Sequence, residues 1–168
     1  NIFLVIFLSW FFVASLFSNS ASASPEEDVD KLKNLFSTGQ KFLQSGQHDK
    51  AIKNFRQVLT LSRKLGKEDG IALSFNGIGQ AYLYRGQYDK AIENFQEALA
   101  IARRYGEEEA IALFLNSIGV VYKSWGKSDK AIENFQQALT LFRKLGEERW
   151  IASSLLDIGS VYDHWGQY

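Results

Sequence analysis

His48 and His164 are the two histidines of this 168-residue sequence, and neither has a second ligand at metal-binding spacing. Asp163 and His164 are adjacent, but neighbouring residues of a helix do not face each other, so they make no general-base dyad. Glu107, Glu108 and Glu109 suit the start of a helix, where carboxylates oppose its dipole, better than an acid–base pair. Without cysteine there is no thiolate metal site, thiol nucleophile or disulfide. The glycines recur at fixed intervals as turns and form no phosphate-cradling loop. Lys and Arg number 19 and Asp and Glu 19, a formal net charge of zero that argues against nucleic-acid binding through a basic surface. Arg103-Arg104 and Arg143-Lys144 close helices, where cations are favourable, and acidic neighbours balance them. These residues describe a non-enzyme that needs no cofactor and no metal.

The chemistry left is recognition. Asn76, Gln80, Leu83 and Tyr84 share one helix face, and forty residues later that face carries Asn116, Val120, Lys123 and Ser124. An amide offers a donor and an acceptor, so Asn76 and Asn116 could pair with the backbone of a bound segment whatever its sequence. Leu83 and Tyr84 would add apolar contact, and Lys123 a point charge for an acidic group. The corresponding face holds Phe36, Gln40, Leu43 and Gln44 earlier in the chain and Leu156, Ser160, Asp163 and His164 later. This stripe changes from repeat to repeat.

The elements that carry it do not change. Residues 71–110 and 111–150 are identical at 22 of 40 positions without a gap. Gly39, Gly79, Gly119 and Gly159 keep the same spacing, as do Phe42, Tyr82, Tyr122 and Tyr162. Asp49-Lys50-Ala51-Ile52 returns at Asp89 and at Asp129, followed by Phe55, Phe95 and Phe135. Within one repeat, Ile71, Phe75, Ile78 and Tyr82 advance by four, three and four residues, and so do Ala91, Phe95, Ala98 and Ala102. Both are helical stripes. Each repeat is therefore a helix, a turn at the Gly46, Gly86 or Gly126 position, a second helix, and a stop at Gly66, Gly106 or Gly146. Asp89 is expected to cap the second helix.

The string Phe75-x2-Ile78-Gly79-x2-Tyr82, followed by Ala91-x3-Phe95-x2-Ala98, resembles the tetratricopeptide repeat (TPR) signature. It recurs with Leu115, Ile118, Gly119, Tyr122, Ala131, Phe135 and Ala138, and more loosely with Leu35, Thr38, Gly39, Phe42, Ala51, Phe55 and Val58. The period of forty replaces the usual thirty-four, and Arg63, Arg103 and Arg143 stand where a proline commonly ends the second helix, as in the forty-residue TPR variety. The resemblance implies an all-α fold, an α-solenoid of stacked antiparallel helix pairs wound into a TPR superhelix. Gly79, Tyr82, Ala91, Phe95, Gly119, Tyr122, Ala131 and Phe135 then have structural roles. It also implies that the first helices line a concave groove where Asn76, Gln80, Leu83, Tyr84, Asn116, Val120 and Lys123 contact a peptide. A groove that grips a C-terminal carboxylate needs several cations, and this one is not expected to.

Residues Ile2 to Phe17 are apolar apart from Ser9 and Ser15, and the small-residue run Ala21-Ser22-Ala23-Ser24 follows. This pattern predicts a secretory signal over 1–23, cleaved after Ala23, with an uncleaved membrane anchor as the alternative. The sequence has no methionine, so residues upstream of Asn1 are expected. A polar linker, 24–30, leads into a TPR array over 31–168, with units at about 31–70, 71–110, 111–150 and a partial 151–168. In the partial unit, Leu155, Ile158 and Tyr162 lack the second helix of their pair, which leaves an apolar face open to self-association and suggests a fragment. Trp125 and Trp165 are expected to pack on a neighbouring unit, and Trp150 raises the same question. The expected protein is an exported, non-catalytic scaffold that binds a protein or peptide segment, touching a membrane only through an uncleaved leader. The alternative is a docking array of a larger signalling or protease-like enzyme.

Overall fold

The computed structural model describes residues 24–165, with the side chains of Pro25, His164 and Trp165 excepted. The expected signal and its cleavage site before Ser24 lie outside the described residues. The chain divides into two compact units, residues 1–31 and 32–168. Among the described residues there are seven helices and no strand: α1 (Pro25–Gln44), α2 (His48–Leu65), α3 (Glu68–Tyr84), α4 (Tyr88–Tyr105), α5 (Glu108–Ser124), α6 (Ser128–Leu145) and α7 (Glu148–Trp165).

Residues 24–30, read from the sequence as a polar linker, are helical from Pro25 onward. Proline suits the first turn because its missing N–H would be unpaired there anyway. The Ser24 hydroxyl accepts the Glu27 N–H at 3.2 Å, and Glu26, Glu27 and Asp28 place negative charge against the helix dipole. Polarity that reads as a linker is here the polarity of a helix start.

In the second unit one glycine device ends every hairpin and every link. Gly46, Gly66, Gly86, Gly106, Gly126 and Gly146 have φ between 64 and 74°, a left-handed conformation that costs a side chain its Cβ clearance. At Gly86 the glycine N–H donates to the Leu83 carbonyl and the Gln87 N–H to the Tyr82 carbonyl, both at 2.9 Å. At Gly106 the bonds go to Arg103 and Ala102, at 3.2 and 3.0 Å. The carbonyls at each helix end are thus satisfied by the backbone itself. The expected Asp89 cap is corrected by this geometry: Gln87 occupies the cap position, with no side-chain cap bond. The glycine turn starts the next helix so early that Asp89 falls inside its first turn, where its charge still opposes the dipole.

Packing explains the fixed positions. Phe55, Phe95 and Phe135 are at most 1% exposed, and Ala51, Ala91 and Ala131 are fully buried. A Cβ on Gly79 would stand 3.1 Å from the Phe95 ring, and one on Gly119 2.7 Å from the Phe135 ring. The small residues let the first helix lie directly on the phenyl ring of the second. Phe55 is held from both sides, by Gly39 of α1 and by Gly77 of α3, where a Cβ would come to 2.8 and 2.7 Å. It therefore joins one hairpin to the next.

The junction from a second helix to the following first helix is less uniform. A side chain at Gly70 would meet the Ser62 hydroxyl. Forty residues on, those places hold Ala110 and Ala102. After another forty they hold Trp150 and Phe142, whose rings stack at 5.8 Å and 15°. Small stands with small and large with large, so the volume at these two positions changes together from junction to junction. Exposed ion pairs tie two first helices to their partners, Glu68 to Arg104 at 3.1 Å and Glu108 to Lys144. Asp49 likewise pairs with Arg85 across α2 and α3.

Candidate functional site

The first helices α3 and α5 turn the fixed stripe toward the core and the variable one away from it, whereas most of the corresponding fixed stripe of α7 is exposed. On α3, Asn76 and Gln80 are half-buried, and the Gln80 amide donates to the Asn76 carbonyl oxygen at 3.4 Å. Tyr84 is 65% exposed, and its ring stacks on His48 at 5.4 Å. His48 is thus an aromatic neighbour of the stripe, and its Nδ1 is buried with no hydrogen-bond partner. On α5, the half-buried Asn116 accepts from the Ser154 hydroxyl of α7 through its carbonyl oxygen at 3.4 Å.

Three expected contact residues are placed otherwise. The Lys123 ammonium pairs with Asp157 of α7 at 2.5 Å, with the Ser160 hydroxyl at 3.4 Å. It is a tie between first helices and not a free charge for an acidic ligand. Leu83 packs against the main core. Val120 packs with Tyr122 and Ile158 against the cluster of Ala131, Ile132, Phe135 and Val161. Both give part of their surface to packing, because the stripe is wide enough to reach the seam with the next helix. Leu73, which the sequence reading passed over, is 44% exposed and lies three and seven residues before Asn76 and Gln80, on their face. Helical spacing alone could have found it. The outward set is Leu73, Asn76, Gln80, Tyr84 and Asn116, with Leu156 of α7 75% exposed on the same stripe.

Trp125 packs as expected, and the Trp165 side chain lies outside the described residues. Trp125 stacks on Tyr88 of the preceding hairpin at 5.8 Å and on Tyr122 at 6.5 Å, with the Lys127 ammonium 3.2 Å from its ring centre. Leu155 and Tyr162 are exposed and Ile158 is half-buried. A Cβ on Gly159 would meet nothing within 4 Å, unlike its counterparts at Gly79 and Gly119. Among the described residues no group of three His, Asp or Glu side chains could hold a metal ion, and no helix is long and apolar enough to cross a membrane.

Two family models, both described as tetratricopeptide repeat, match residues 39–104 and 108–145, together more than half of the chain. The chain belongs to the tetratricopeptide repeat family. Solved structures share this TPR fold. The TPR domain of Arabidopsis FLU is 24% identical with a TM-score of 0.65, covering 70% of this chain and 98% of its own. Aspartyl phosphate phosphatase F from Bacillus subtilis is 18% identical with a TM-score of 0.79, over 83% of this chain and 37% of that enzyme. BtubC from P. vanneervenii is 22% identical with a TM-score of 0.74, over 89% of this chain and 61% of that one. At these identities the likeness is one of fold. No curated protein matches the sequence. TPR arrays mediate protein–protein interaction, and the solenoid of stacked antiparallel helix pairs described above is such an array.

Proposed function

We propose that this TPR array, of the forty-residue variety, is a non-catalytic scaffold that binds a peptide segment along the first-helix stripe of α3 and α5. The supporting observation is the division of each first helix into two faces. One face is fixed and buried against Phe95 or Phe135. The other varies between repeats and presents Leu73, Asn76, Gln80, Tyr84 and Asn116 outward. Binding needs no bond-making: the amides pair with peptide backbone, and Leu73 and Tyr84 cover apolar side chains. The role of Lys123 in this reading is to hold α5 to α7 through Asp157 and so keep the stripe continuous.

The test starts from peptides selected on the immobilised protein from a random display library. Replacing Asn76 and Asn116 together by alanine removes two amide pairs, each of about 0.5–1.5 kcal/mol. Affinity for the selected peptide is expected to fall about tenfold, with unchanged helix content. Unaltered affinity in a folded variant removes this stripe from the function.

The apolar leader and its Ala21-Ser22-Ala23 site support an exported protein. Amino-terminal sequencing of the product recovered outside the cytoplasm is expected to read from Ser24. A product that keeps the leader makes it an anchor instead.

A further inference from the structure

A crevice of about 400 Å3 opens on the opposite side of the array, between the second helices α4 and α6. Its floor is Leu99, Leu115 and Ile118, all buried, with Tyr122 beside them. Gln96, Ala100 and Arg103 of α4 form one wall, and Glu133, Asn134 and Gln137 of α6 the other.

The same place one repeat earlier shows what is missing. There the Arg56 guanidinium donates to the Tyr82 hydroxyl at 3.2 Å, and the Arg63 guanidinium rests 5.8 Å from the centre of the Phe75 ring. Forty residues on, Arg56 becomes Gln96, Thr60 becomes Ala100 and Phe75 becomes Leu115. Each of these changes shortens or narrows a side chain, Glu97 becomes Gln137 with the loss of a charge, and the cation persists as Arg103. Arg103 therefore keeps its position and has lost the ring it rests on. Its neighbour Arg104 pairs with Glu68, but among the described residues Arg103 has neither an ion pair nor an aromatic face.

We propose that this crevice is a second binding site, which holds an aromatic side chain of a partner protein against the Arg103 guanidinium. An incoming ring restores the contact that Arg63 makes with Phe75. It also covers an apolar floor that carries no charge of its own. The Gln96 amide, the Tyr122 hydroxyl and the carbonyl oxygens of Asn134 and Gln137, whose NH2 groups already donate to the Lys130 carbonyl and the Glu133 carboxylate, edge the crevice and suit the polar backbone that would carry the ring. A buried aromatic anchor with a polar rim is how protein partners commonly gain both affinity and register. This site is separate from the Asn76–Asn116 stripe and does not depend on it.

N-acetyl-tryptophan amide is the probe, titrated into the isotope-labelled full chain with N-acetyl-leucine amide and N-acetyl-arginine amide as controls. Saturable shifts are expected at Gln96, Arg103, Asn134 and Gln137 with the tryptophan compound, at least fivefold tighter than with either control. The triple change Q96R/A100T/L115F restores the bulkier side chains of the earlier crevice, which the chain already accommodates there. It is expected to abolish these shifts with the fold intact, and Arg103→Ala to weaken binding several-fold. The variant lacking both Asn76 and Asn116 is expected to bind the probe normally, which separates this site from the stripe. Equal binding of the leucine compound, preference for the arginine compound, or shifts that survive in the triple variant would overturn the proposal.

Discussion

Gly119 and Gly159 occupy the same position in successive first helices, and their surroundings differ. A Cβ on Gly119 would press into the Phe135 ring at 2.7 Å, whereas one on Gly159 meets nothing within 4 Å. Gly119→Ala is expected to destabilise the protein by about 1–3 kcal/mol through overpacking. Gly159→Ala removes a flexible residue from a helix without a clash and is expected to stabilise by about 0.5–1 kcal/mol. Urea denaturation followed by circular dichroism distinguishes the two signs. At this scale the sequence was a good guide to buried residues, because burial repeats every forty positions and a repeated Gly–Phe pairing can be read directly. It was a poorer guide to polar ones. The partner of Lys123 is Asp157, 34 residues away, an offset with no place in the repeat register. Only the docking of α7 on α5 brings the two together. Asp89 misled for a smaller reason, since it stands only two positions past the cap residue, Gln87.

Helix limits were legible wherever a glycine closes a turn, and less so where chain polarity had to be interpreted. The start of α1 at Pro25 shows the difference: its acidic residues read equally well as linker or as first turn. The junctions between hairpins were not legible, because the residues in contact belong to different hairpins and vary together. Ser62 with Gly70, and Phe142 with Trp150, fill the same place with different volumes. Phe142 is fully buried, so Phe142→Ala is expected to cost about 3–5 kcal/mol. Because Trp150 stacks on it, the loss on adding Trp150→Ala should fall short of the sum by about 0.5–3 kcal/mol. A double-mutant cycle of thermal or urea midpoints checks this. Strict additivity would mean that α6 and α7 do not depend on the stacked pair.

For the whole molecule, stacking explains both the uniform core and the varied surface. Each hairpin buries its apolar face only against its neighbours, so core positions must match from repeat to repeat. The outward stripe of the first helices and the crevice between α4 and α6 are outside that requirement. Both lie where the repeat pattern breaks, and a break in a repeat is what sequence reading could locate without giving its geometry. Zero net charge fits the exposed ties of Glu68 to Arg104 and Glu108 to Lys144, which leave no large field of one sign to attract a polyanion. Recognition then falls to amide and apolar groups. The most direct measurement is a nuclear Overhauser experiment on labelled protein saturated with a selected peptide. The side-chain NH2 signals of Asn76 and Asn116 are predicted to shift and to show contacts with peptide backbone protons. Unmoved Asn76 and Asn116 signals, with the shifts gathered on the second helices instead, would contradict the account.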